Sequence, residues 1–554
     1  MKTYPFVAPP ELVTGEVKHI PVIIAGAGPV GLSMAIDLRL RGVDCLLLDD
    51  DDRVSHGSRA ICYAKRTLEI WDRLGCGDRM VEKGVRWDTG RIFFGDGKEP
   101  VYSFDLRDED GHKYPSFINL QQYYAEEFLL DRLAELGQTP RWKSKVTAVT
   151  QTAERAEITV DTPDGSYRLT SDYVIAADGA RSPVRHMLGL EFEGRIFEDH
   201  FLIADIKMKG DFPAERWFWF DPPFNRGQSA LLHRQPDDVW RLDFQLGWDI
   251  DREAELDPLR IDTRIRAMMG ADVDYKLEWS SIYTFQCRRL DRFVHGRVIF
   301  AGDSAHLVSP FGARGANSGV QDVDNLGWKL ALILNGRAPV QLLESYNSER
   351  VYAARENLLN STRATDFITP KSDISRLFRN AVLELAASCP FAQRMVNSGR
   401  LSVPAHLRES ALNSPDKEDF SGVLQPGSVA ADGHVIAAGQ DQWFLSLIGQ
   451  ETRDFVLLHF ADPDAPAPDI SPLLEGNNPI AVYMVGPDLT GARRLADPEG
   501  HLARRYDARP GTTYLLRPDH HVSARWRSFD ATLVRAAQDR ALNPGTAQNS
   551  EEAA

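Results

Sequence analysis

Residues 296–330 read GRVIFAGDSAHLVSPFGARGANSGVQDVDNLGWKL, and this stretch decides the fold. It begins with a short apolar strand, Val298 to Ala301, which stops at Gly302 and Asp303. A glycine-rich loop follows, and then a long amphipathic helix begins. A strand that ends in Gly-Asp presents a carboxylate at its carboxyl end, where open α/β sheets bind their ligands. The stretch therefore predicts a ligand site at the edge of a parallel sheet.

A second stretch, HIPVIIAGAGPVGLSMAIDLRLRGVDCLLLDD at 19–50, has the order strand, glycine loop, helix, strand. In the pattern GxGxxG, which lies here at 26–31, the first glycine allows a tight turn. The second lets a pyrophosphate approach the backbone, and the third packs the helix on the strand. Asp49 ends the second strand about 20 residues after the glycines, where a carboxylate binds ribose hydroxyls. This order predicts a Rossmann-type dinucleotide-binding unit.

Composition and charge exclude several function classes. The chain has 554 residues, 43% of them hydrophobic and 26% charged, which is typical of a globular protein with two to four domains. Its net charge of −16 argues against nucleic acid, which needs a basic surface. No apolar run is long enough to span a membrane, and residues 1–19 read as a leader without the apolar core of a signal peptide. The five cysteines have no metal-type spacing, so we expect a reduced, cytoplasmic protein without a metal.

The pattern of predicted helices and strands changes along the chain and predicts its domains. Strand and helix patterns alternate over 20–190 and return over 296–405, which predicts one doubly wound domain. Aromatic-rich strand patterns fill 191–295 and predict an inserted antiparallel sheet. Residues 406–426 are polar and predict a linker, 427–542 predict a small α/β domain, and 543–554 predict a disordered tail.

A third element, AADGARSPVR at 176–185, again places an Asp-Gly, Asp178-Gly179, after a strand, followed by Arg181 and Arg185, which could face a phosphate. Together with GAGPVG at 26–31 and AGDSAH at 301–306, it resembles the class A FAD-dependent aromatic hydroxylases. The resemblance covers residues 20 to 400. Within that family the chain is most similar to the phenol and 3-(3-hydroxyphenyl)propionate hydroxylase branch. Members of this branch carry a C-terminal thioredoxin-like domain, and residues 427–542 look like one, without the Cys-x-x-Cys of a redox-active thioredoxin.

The resemblance implies FAD as the cofactor and NAD(P)H as the reductant. It implies that Asp49 binds the adenosine ribose, that Arg59 lies near the pyrophosphate, and that Gln122 and Asp303 lie on the ribityl side. A surface salt bridge for Arg59 and a helix-capping amide for Gln122 remain open. The full set of implied cofactor-binding residues is Gly26, Gly28, Pro29, Val30, Gly31, Asp49, Asp50, Arg59, Gln122, Asp178, Gly302, Asp303, Pro310, Gly312, Gly315, Ala316 and Asn317.

The candidate catalytic residue is Tyr283, which matches an active-site tyrosine of the phenol hydroxylase group. The alternative is a tyrosine that packs on the face of a sheet. Arg288 fits the family pattern or braces its strand, and His306 is more readily a structural residue of the loop than a base. His233 and Arg241 lie on predicted strands, where an arginine could pair with a substrate carboxylate or belong to a solvated sheet face.

The expected function is hydroxylation of a phenolic aromatic compound with O2, through a flavin C4a-hydroperoxide, by an enzyme that we expect to be a homodimer. Because the substrate pocket rather than the flavin motifs sets the substrate, a Baeyer–Villiger or a quinone- or polyketide-tailoring oxygenase remains an alternative. A halogenase is disfavoured because Trp217-Phe-Trp219-Phe-Asp-Pro lacks the isoleucine of the Trp-x-Trp-x-Ile-Pro signature. A flavoprotein scaffold without turnover is disfavoured by the intact loop from Pro310 to Gly319.

Overall fold

The structure of the chain, a computed structural model, describes residues 2–57, 59–106, 110–210, 212–396 and 401–544, with the side chain of Glu198 excepted. It is a mixed α/β fold, as the sequence predicts. Of the tail predicted at 543–554, residues 545–554 lie outside the described residues. Within the described ranges, no helix combines the length and the apolar character that a membrane span requires.

Among the described residues, the strands form six sheets of two to eight strands. In chain order they are β1 (Lys18–His19), β2 (Val22–Ala25), β3 (Cys45–Leu48), β4 (Cys62–Ala64), β5 (Val85–Arg86), β6 (Thr89–Phe94), β7 (Tyr102–Asp105), β8 (Phe117–Asn119), β9 (Lys145–Gln151), β10 (Ala156–Thr162), β11 (Gly165–Ser171), β12 (Tyr173–Ala176), β13 (Glu193–Lys207), β14 (Arg216–Phe220), β15 (Ser229–Arg234), β16 (Val239–Gly247), β17 (Lys276–Arg289), β18 (Val294–His295), β19 (Val298–Phe300), β20 (His306–Leu307), β21 (His434–Ala437), β22 (Gln440–Trp443), β23 (Phe455–Phe460), β24 (Ile480–Val485), β25 (Ala492–Leu495), β26 (Thr513–Leu516) and β27 (Val522–Trp526).

The helices cover the sheets and connect them. In chain order they are α1 (Pro10–Thr14), α2 (Pro29–Leu40), α3 (Lys65–Leu74), α4 (Gly77–Lys83), α5 (Gln122–Glu135), α6 (Pro183–Met187), α7 (Arg252–Glu255), α8 (Pro258–Met269), α9 (Gly315–Leu334), α10 (Leu342–Ile368), α11 (Asp373–Ala386), α12 (Pro390–Val396), α13 (Phe444–Glu451), α14 (Ser471–Leu474), α15 (His501–Arg505) and α16 (Ala531–Leu542). A 3-10 turn at Gly302–Ser304 follows β19.

A five-stranded sheet carries the predicted nucleotide-binding unit. Its strand order is β18-β19-β12-β2-β3, and β19, β12, β2 and β3 are parallel. Strands β2, β12 and β19 are buried along their whole length, because helices cover both faces of a parallel sheet and each strand is a continuous apolar run. Their carboxyl ends share one edge, so the three Gly-containing loops predicted from the sequence converge there.

The eight-stranded sheet extends beyond the predicted insert. Its order is β20-β17-β13-β16-β15-β14-β6-β7, so β6, β7 and β20 join it from outside residues 191–295. The pair β14 and β6 is parallel rather than antiparallel. One face, the outer face, packs on Ile261 and Ile265 of α8. The other, the inner face, packs on Phe311 of the loop before α9 and so turns toward the parallel sheet.

The C-terminal part of the described chain has a five-stranded sheet of its own. The order is β25-β24-β23-β26-β27. Strands β23, β24 and β25 are parallel to one another, and β26 is antiparallel to both of its neighbours, β23 and β27. Residues 406–426, predicted as a linker, contain neither helix nor strand, but Leu407 and Leu412 are buried. This segment is therefore packed against its surroundings and does not run freely through solvent.

Buried ions join this C-terminal part to α9 and α10, at a place that we call the junction (Lys329, Glu349, Arg517 and Asp519). Arg517 donates to Glu349 at 2.6 Å and to Asp519 at 2.5 Å, and it is completely buried. Lys329, also buried, donates to Glu349 at 2.7 Å. Two cations and two carboxylates thus balance each other, and this holds the pKa of both Glu349 and Asp519 below the usual range, mainly through Arg517 against the opposing effect of burial.

Candidate cofactor and substrate site

The loop at 26–31 has the geometry of a phosphate-binding turn. Gly26 has φ +102°, and a Cβ there would lie 2.4 Å from the Ala177 carbonyl oxygen of the neighbouring loop. A Cβ on Gly31 would lie 1.8 Å from the Gly26 carbonyl oxygen, so α2 packs closely on β2 only because Gly31 lacks one. A Cβ on Gly28 would meet nothing within 4 Å, and this open side is where a pyrophosphate fits. Pro29 and Val30 begin α2.

Asp49 and Asp50 follow β3 at the same edge of the sheet. The Asp49 carboxylate accepts hydrogen bonds from the backbone N–H of Ala27 at 2.5 Å and of Asp51 at 2.9 Å. It thereby holds the glycine loop, and burial raises its pKa. Asp50 is exposed and lines a surface cleft together with Lys143. The two neighbouring carboxylates therefore differ: one braces the loop and the other faces solvent.

The segment 55–60, which carries Arg59, is attached to one turn of α5. The Ser55 N–H donates to Glu126 at 2.6 Å, and the Ala60 N–H donates to Gln122 at 3.1 Å. Gln122 also donates to Glu126 at 2.8 Å, so its amide is bound at both ends. Arg59 is exposed, and its backbone oxygen accepts a hydrogen bond from Arg241 of the eight-stranded sheet. Glu126 was not predicted from the sequence; its only signal is its position one helical turn after Gln122.

Asp178 lies in the loop that follows β12, and the backbone of this loop packs against Gly26. One carboxylate oxygen accepts from the Val184 N–H at 3.0 Å, and the other is buried without a partner among the described residues. Burial raises the pKa of Asp178. Arg185 does not face a phosphate: its guanidinium donates to the Ser304 carbonyl at 3.2 Å and stacks 3.9 Å from the Phe192 ring. Arg185 thus ties this loop to the one after β19.

Gly302 and Asp303 lie where the sequence predicts them, in the turn after β19. Gly302 has φ +66°, and its N–H donates to Asp322 of α9 at 2.9 Å. Asp322 also binds His306 at 2.7 Å, which makes His306 a structural residue of this loop. The Asp303 carboxylate has no hydrogen bond within the described part of the chain, although the surrounding protein desolvates it and raises its pKa. The Asp303 carboxylate is thus accessible to a ligand although protein surrounds it, and such a carboxylate without a partner among the described residues fits a site for ribityl hydroxyls.

The loop from Pro310 leads into α9, and we call residues 310–317 the flavin loop. It includes Gly312, and Ala316 lies in the first turn of α9. The helix begins at Gly315 without a side-chain cap, so its first N–H groups point toward the sheet edge unpaired by the helix. Asn317 donates to the Cys62 carbonyl at 2.9 Å and accepts from the Ala64 N–H at 2.8 Å, which fixes β4 beside the loop. Arg314 is buried, and burial lowers its pKa to about 10.

Aromatic rings of the inner face lie against the flavin loop. Phe285 and Phe311 are 5.0 Å apart between ring centroids, and Phe201 stacks 4.6 Å from Phe285. Tyr283 lies 5.6 Å from Phe285 and keeps 42% of its surface exposed. Burial nevertheless raises its pKa to about 12, with Asp303 as the next cause. Tyr283 is therefore a protonated hydroxyl at neutral pH. We call the space beside Tyr283 and Phe285 on the inner face the cleft.

The inner face also carries a row of polar residues, which we call the polar row (Arg216, His233 and Arg241). They are register partners on β14, β15 and β16. Sequence reasoning singled out His233 and Arg241 and missed Arg216. A signal was present, because Arg216 has the same strand parity as Phe218 and Phe220 and so must share their buried face. Arg288 lies elsewhere: it donates to the Phe192 carbonyl at 3.0 Å and braces its strand.

The site fits a dinucleotide with a flat ring. Three loops meet at one sheet edge, and they provide an open glycine turn, two carboxylate groups with oxygen atoms that lack a partner among the described residues, and a helix start without a side-chain cap. The ring end of such a ligand would lie at the flavin loop. The cleft lined by Tyr283 and the aromatic rings adjoins that end. Such an arrangement would suit a flat redox cofactor bound beside an aromatic compound.

Comparison with known proteins agrees with this geometry. Residues 19–361 match the family described as the FAD binding domain. The chain is 28% identical over 559 residues to 6-methylpretetramide 4-monooxygenase from Streptomyces rimosus, covering 94% of each protein. It is 28% identical over 402 residues to the 3-(3-hydroxy-phenyl)propionate/3-hydroxycinnamic acid hydroxylase of Mycolicibacterium gilvum, covering 72% of this chain and 68% of the relative.

Among solved structures, the fold is similar to that of the flavin-dependent monooxygenase PieE in complex with FAD and substrate. The TM-score is 0.80 at 22% identity, with 95% of this chain and 99% of that chain covered. This likeness extends over the parallel sheet, the eight-stranded sheet and the C-terminal part. The resemblance to class A flavoprotein hydroxylases predicted from the three motifs is thereby confirmed. The chain belongs to the FAD-binding family of aromatic monooxygenases.

Proposed function

We propose that this protein is an FAD-dependent monooxygenase that hydroxylates a phenolic aromatic compound with NAD(P)H and O2. The observation that carries the proposal is the position of Tyr283, a partly exposed tyrosine of the inner face beside the buried ring of Phe285, which in turn packs on Phe311 of the flavin loop. A flat aromatic ring fits such a lining, and a phenol can bond to the hydroxyl. The similarity to a hydroxyphenylpropionate hydroxylase supports the same substrate class.

The reaction balances with one O2 per turnover. NAD(P)H gives two electrons and the medium one proton; one oxygen atom enters the ring as a hydroxyl, and the other leaves as water. Bound FAD supplies the electron transfer and the oxygen activation. Gly26, Gly28 and Gly31 would hold its pyrophosphate and Asp303 its ribityl hydroxyls. The start of α9 at Gly315 would stabilise negative charge on the reduced ring through N–H groups and the helix dipole.

Tyr283 would orient the substrate hydroxyl. Because its pKa is raised to about 12, it acts as a hydrogen-bonding phenol and not as an anionic base. A hydrogen bond to the substrate hydroxyl fixes the orientation of the substrate ring relative to the flavin loop. The aromatic lining around Phe285 excludes water from the site.

The test is an assay of the purified, FAD-loaded protein. NADH and NADPH are offered separately with hydroxybenzoates, 3-(3-hydroxyphenyl)propionate, resorcinol and chlorophenols. We expect reductant consumption that depends on the aromatic compound, and a product that gains one oxygen atom from isotopically labelled O2. A colourless protein that cannot bind FAD would contradict the proposal. A yellow protein that oxidises neither reductant with any aromatic compound would favour a scaffold role.

A second candidate is tailoring of a polycyclic aromatic polyketide or quinone. The favouring observation is the similarity, along 94% of both chains, to 6-methylpretetramide 4-monooxygenase. The two candidates separate in the same assay when anthraquinones and tetracyclic phenols are added to the substrate panel. Turnover of tetracyclic compounds alone would assign the chain to this second group; lactone products would indicate Baeyer–Villiger chemistry.

We also infer a thioredoxin-like C-terminal unit, residues 427–542, without dithiol chemistry. Its mixed five-stranded sheet, in which β26 alone runs opposite to the other four strands, supports the inference, and the sequence has no cysteine after Cys389. A homodimer in the cytoplasm remains our prediction. Light scattering of the purified protein at micromolar concentration checks the oligomeric state, and a mass near twice 62.1 kDa is expected.

A further inference from the structure

Arg216, the first residue of β14, has a guanidinium without a partner. No hydrogen bond, ion pair or ring contact joins it to any residue in the part of the chain that the structure describes. Its side chain is only partly exposed, and burial lowers its pKa without removing its charge at neutral pH. An ordinary surface arginine is not desolvated in this way.

The groups around Arg216 do not neutralise it locally. Its neighbour Arg241 donates to Asp243 at 2.8 Å and lies near Asp205 as well, so the nearby carboxylates are engaged by Arg241. Asp243 acts on Arg216 only at longer range. The Cys62 thiol, also close, is neutral because burial raises its pKa to about 11.

His233 lies between the two arginines on the adjacent strand. It is 4% exposed, and its Nδ1 is buried without a hydrogen-bond partner among the described residues. Burial and the two arginines hold its pKa well below the usual value, so the ring is neutral. A buried imidazole nitrogen without a partner costs free energy unless a ligand satisfies it.

The polar row also lies close to the reacting end of the site. Arg216 and Arg241 act on the thiol of Cys62, whose backbone carbonyl is bound by Asn317 of the flavin loop. Arg241 and Asp303 both act on Tyr283. Phe218, two positions from Arg216 on the same face of β14, has its ring centroid 6.4 Å from that of Phe311, so an anion at Arg216 would lie beside the aromatic rings that contact the flavin loop.

We propose that Arg216, with the neutral His233 beside it, binds an anionic oxygen group of the aromatic substrate. The group is a carboxylate or an ionised hydroxyl of the ring system; both present the oxygen atoms that a guanidinium recognises. The proposal rests on the proposed function for the nature of the substrate. A desolvated cation that has no protein partner is otherwise a net cost to the fold, and the substrate anion removes that cost when it binds.

The experiment measures binding to the oxidised, FAD-loaded protein, without NAD(P)H, through the change in the flavin spectrum. The probes are matched pairs that differ in charge alone: 3-hydroxybenzoate with 3-hydroxybenzamide, and 3-(3-hydroxyphenyl)propionate with its amide. Wild-type protein should bind an anionic member more tightly than its amide. Arg216→Met should weaken binding of that anion by about 10- to 100-fold and leave binding of the amide unchanged, as expected for a lost charge-assisted hydrogen bond.

Two variants control the interpretation. Arg216→Lys keeps the charge but not the planar fork, and should lose only part of the affinity. Arg91, one register position further along β6, lies on the opposite face and pairs with Glu215. Arg91→Met should therefore change neither anion nor amide binding.

Binding of 4-nitrophenol decides whether Arg216 binds a carboxylate or an ionised hydroxyl, because this compound has no carboxylate and changes colour on ionisation. If Arg216 binds an ionised hydroxyl, wild-type protein should bind 4-nitrophenol as the yellow phenolate at a pH where the free compound is mostly protonated. Arg216→Met should bind it as the neutral phenol. If Arg216 binds a carboxylate instead, the ionisation of bound 4-nitrophenol should be the same in both proteins while the preference for the carboxylate probes is lost.

The proposal is overturned if wild-type protein prefers no anion over its neutral partner, or if Arg216→Met retains the preference. Failure of the proposed function looks different. A protein that binds the anions through Arg216 but hydroxylates none of the tested compounds would keep the binding role and lose the reaction. A protein that hydroxylates the carboxylate-bearing and ionised phenols, at concentrations below saturation, equally well with and without Arg216 would keep the reaction and lose the binding role.

Discussion

The junction and the polar row differ in how their buried charges are paired. At the junction, Arg517 is completely buried and bonds to both Glu349 and Asp519, and Lys329 adds a further bond to Glu349. In the polar row, Arg216 is desolvated and bonds to nothing among the described residues. A charge network that is complete within the protein stabilises one arrangement of its parts, whereas an incomplete one leaves binding capacity for a ligand. The same side chain, arginine, thus serves structure in one region and recognition in the other.

The largest effect is expected at the junction. Glu349→Ala leaves the Arg517 and Lys329 cations buried without their shared carboxylate, and we expect a loss of about 3–5 kcal/mol in the free energy of unfolding. Denaturant unfolding followed by circular dichroism measures it. The matched control is Glu344→Ala on the same helix, whose pair with Arg292 is exposed. An equally large loss in both variants would show that the complete network has no special role.

Acid should weaken the junction next. The pKa values of Glu349 and Asp519 are lowered in the folded protein, so their contribution is present above the unfolded values of about 4 to 4.5 and is lost as pH falls below them. In that range each group adds a slope of about 1.4 kcal/mol per pH unit. The free energy of unfolding, measured at several pH values between about 6 and 3, should fall less steeply with falling pH for Glu349→Gln than for the wild-type protein. Identical slopes in variant and wild type would contradict this.

In the cleft, Tyr283→Phe should affect the reaction and not the fold. Loss of one hydrogen bond to the substrate hydroxyl should lower the hydroxylation rate by about 10-fold or more. Binding of FAD, measured by fluorescence quenching, should stay unchanged, because the hydroxyl lies on the sheet and not on the glycine loops. An unchanged rate would assign Tyr283 to packing on the sheet face.

The smallest effect is expected for the stability of Arg216→Met. Removal of a desolvated cation without a partner should leave the free energy of unfolding within about 0.5 kcal/mol of wild type, or raise it. Thermal unfolding without substrate measures this. A loss as large as that of Glu349→Ala would mean that Arg216 is structural and would remove the contrast between the two regions.

Local motifs made part of this molecule predictable. Gly26, Gly31 and Asp303 lie within short strand-loop-helix units, whose pattern can be recognised from neighbouring residues of the sequence. The membership of β6 and β7 in the eight-stranded sheet was not predictable, because it depends on pairing between strands more than 100 residues apart. The polar row has the same origin: strand parity places Arg216 on the inner face, but only the register across three strands places it beside His233 and Arg241.

The junction was beyond sequence reasoning for a related reason. Lys329, Glu349 and Arg517 each read as an ordinary charged residue in its own helix or turn. Their meeting depends on how the C-terminal part packs on α9 and α10, which no local pattern encodes. The flavin loop shows the opposite case, because its glycines and the start of α9 lie next to each other in the chain.

The attachment of residues 55–60 to α5 makes the place of Arg59 depend on helical phase. Gln122 and Glu126, which lie one helical turn apart on α5, hold the two ends of that segment. One residue inserted between them would rotate Glu126 by about 100° around the helix axis, so that both ends could no longer be held together. The position of Arg59 is therefore encoded by the spacing of two residues some sixty positions further along the chain.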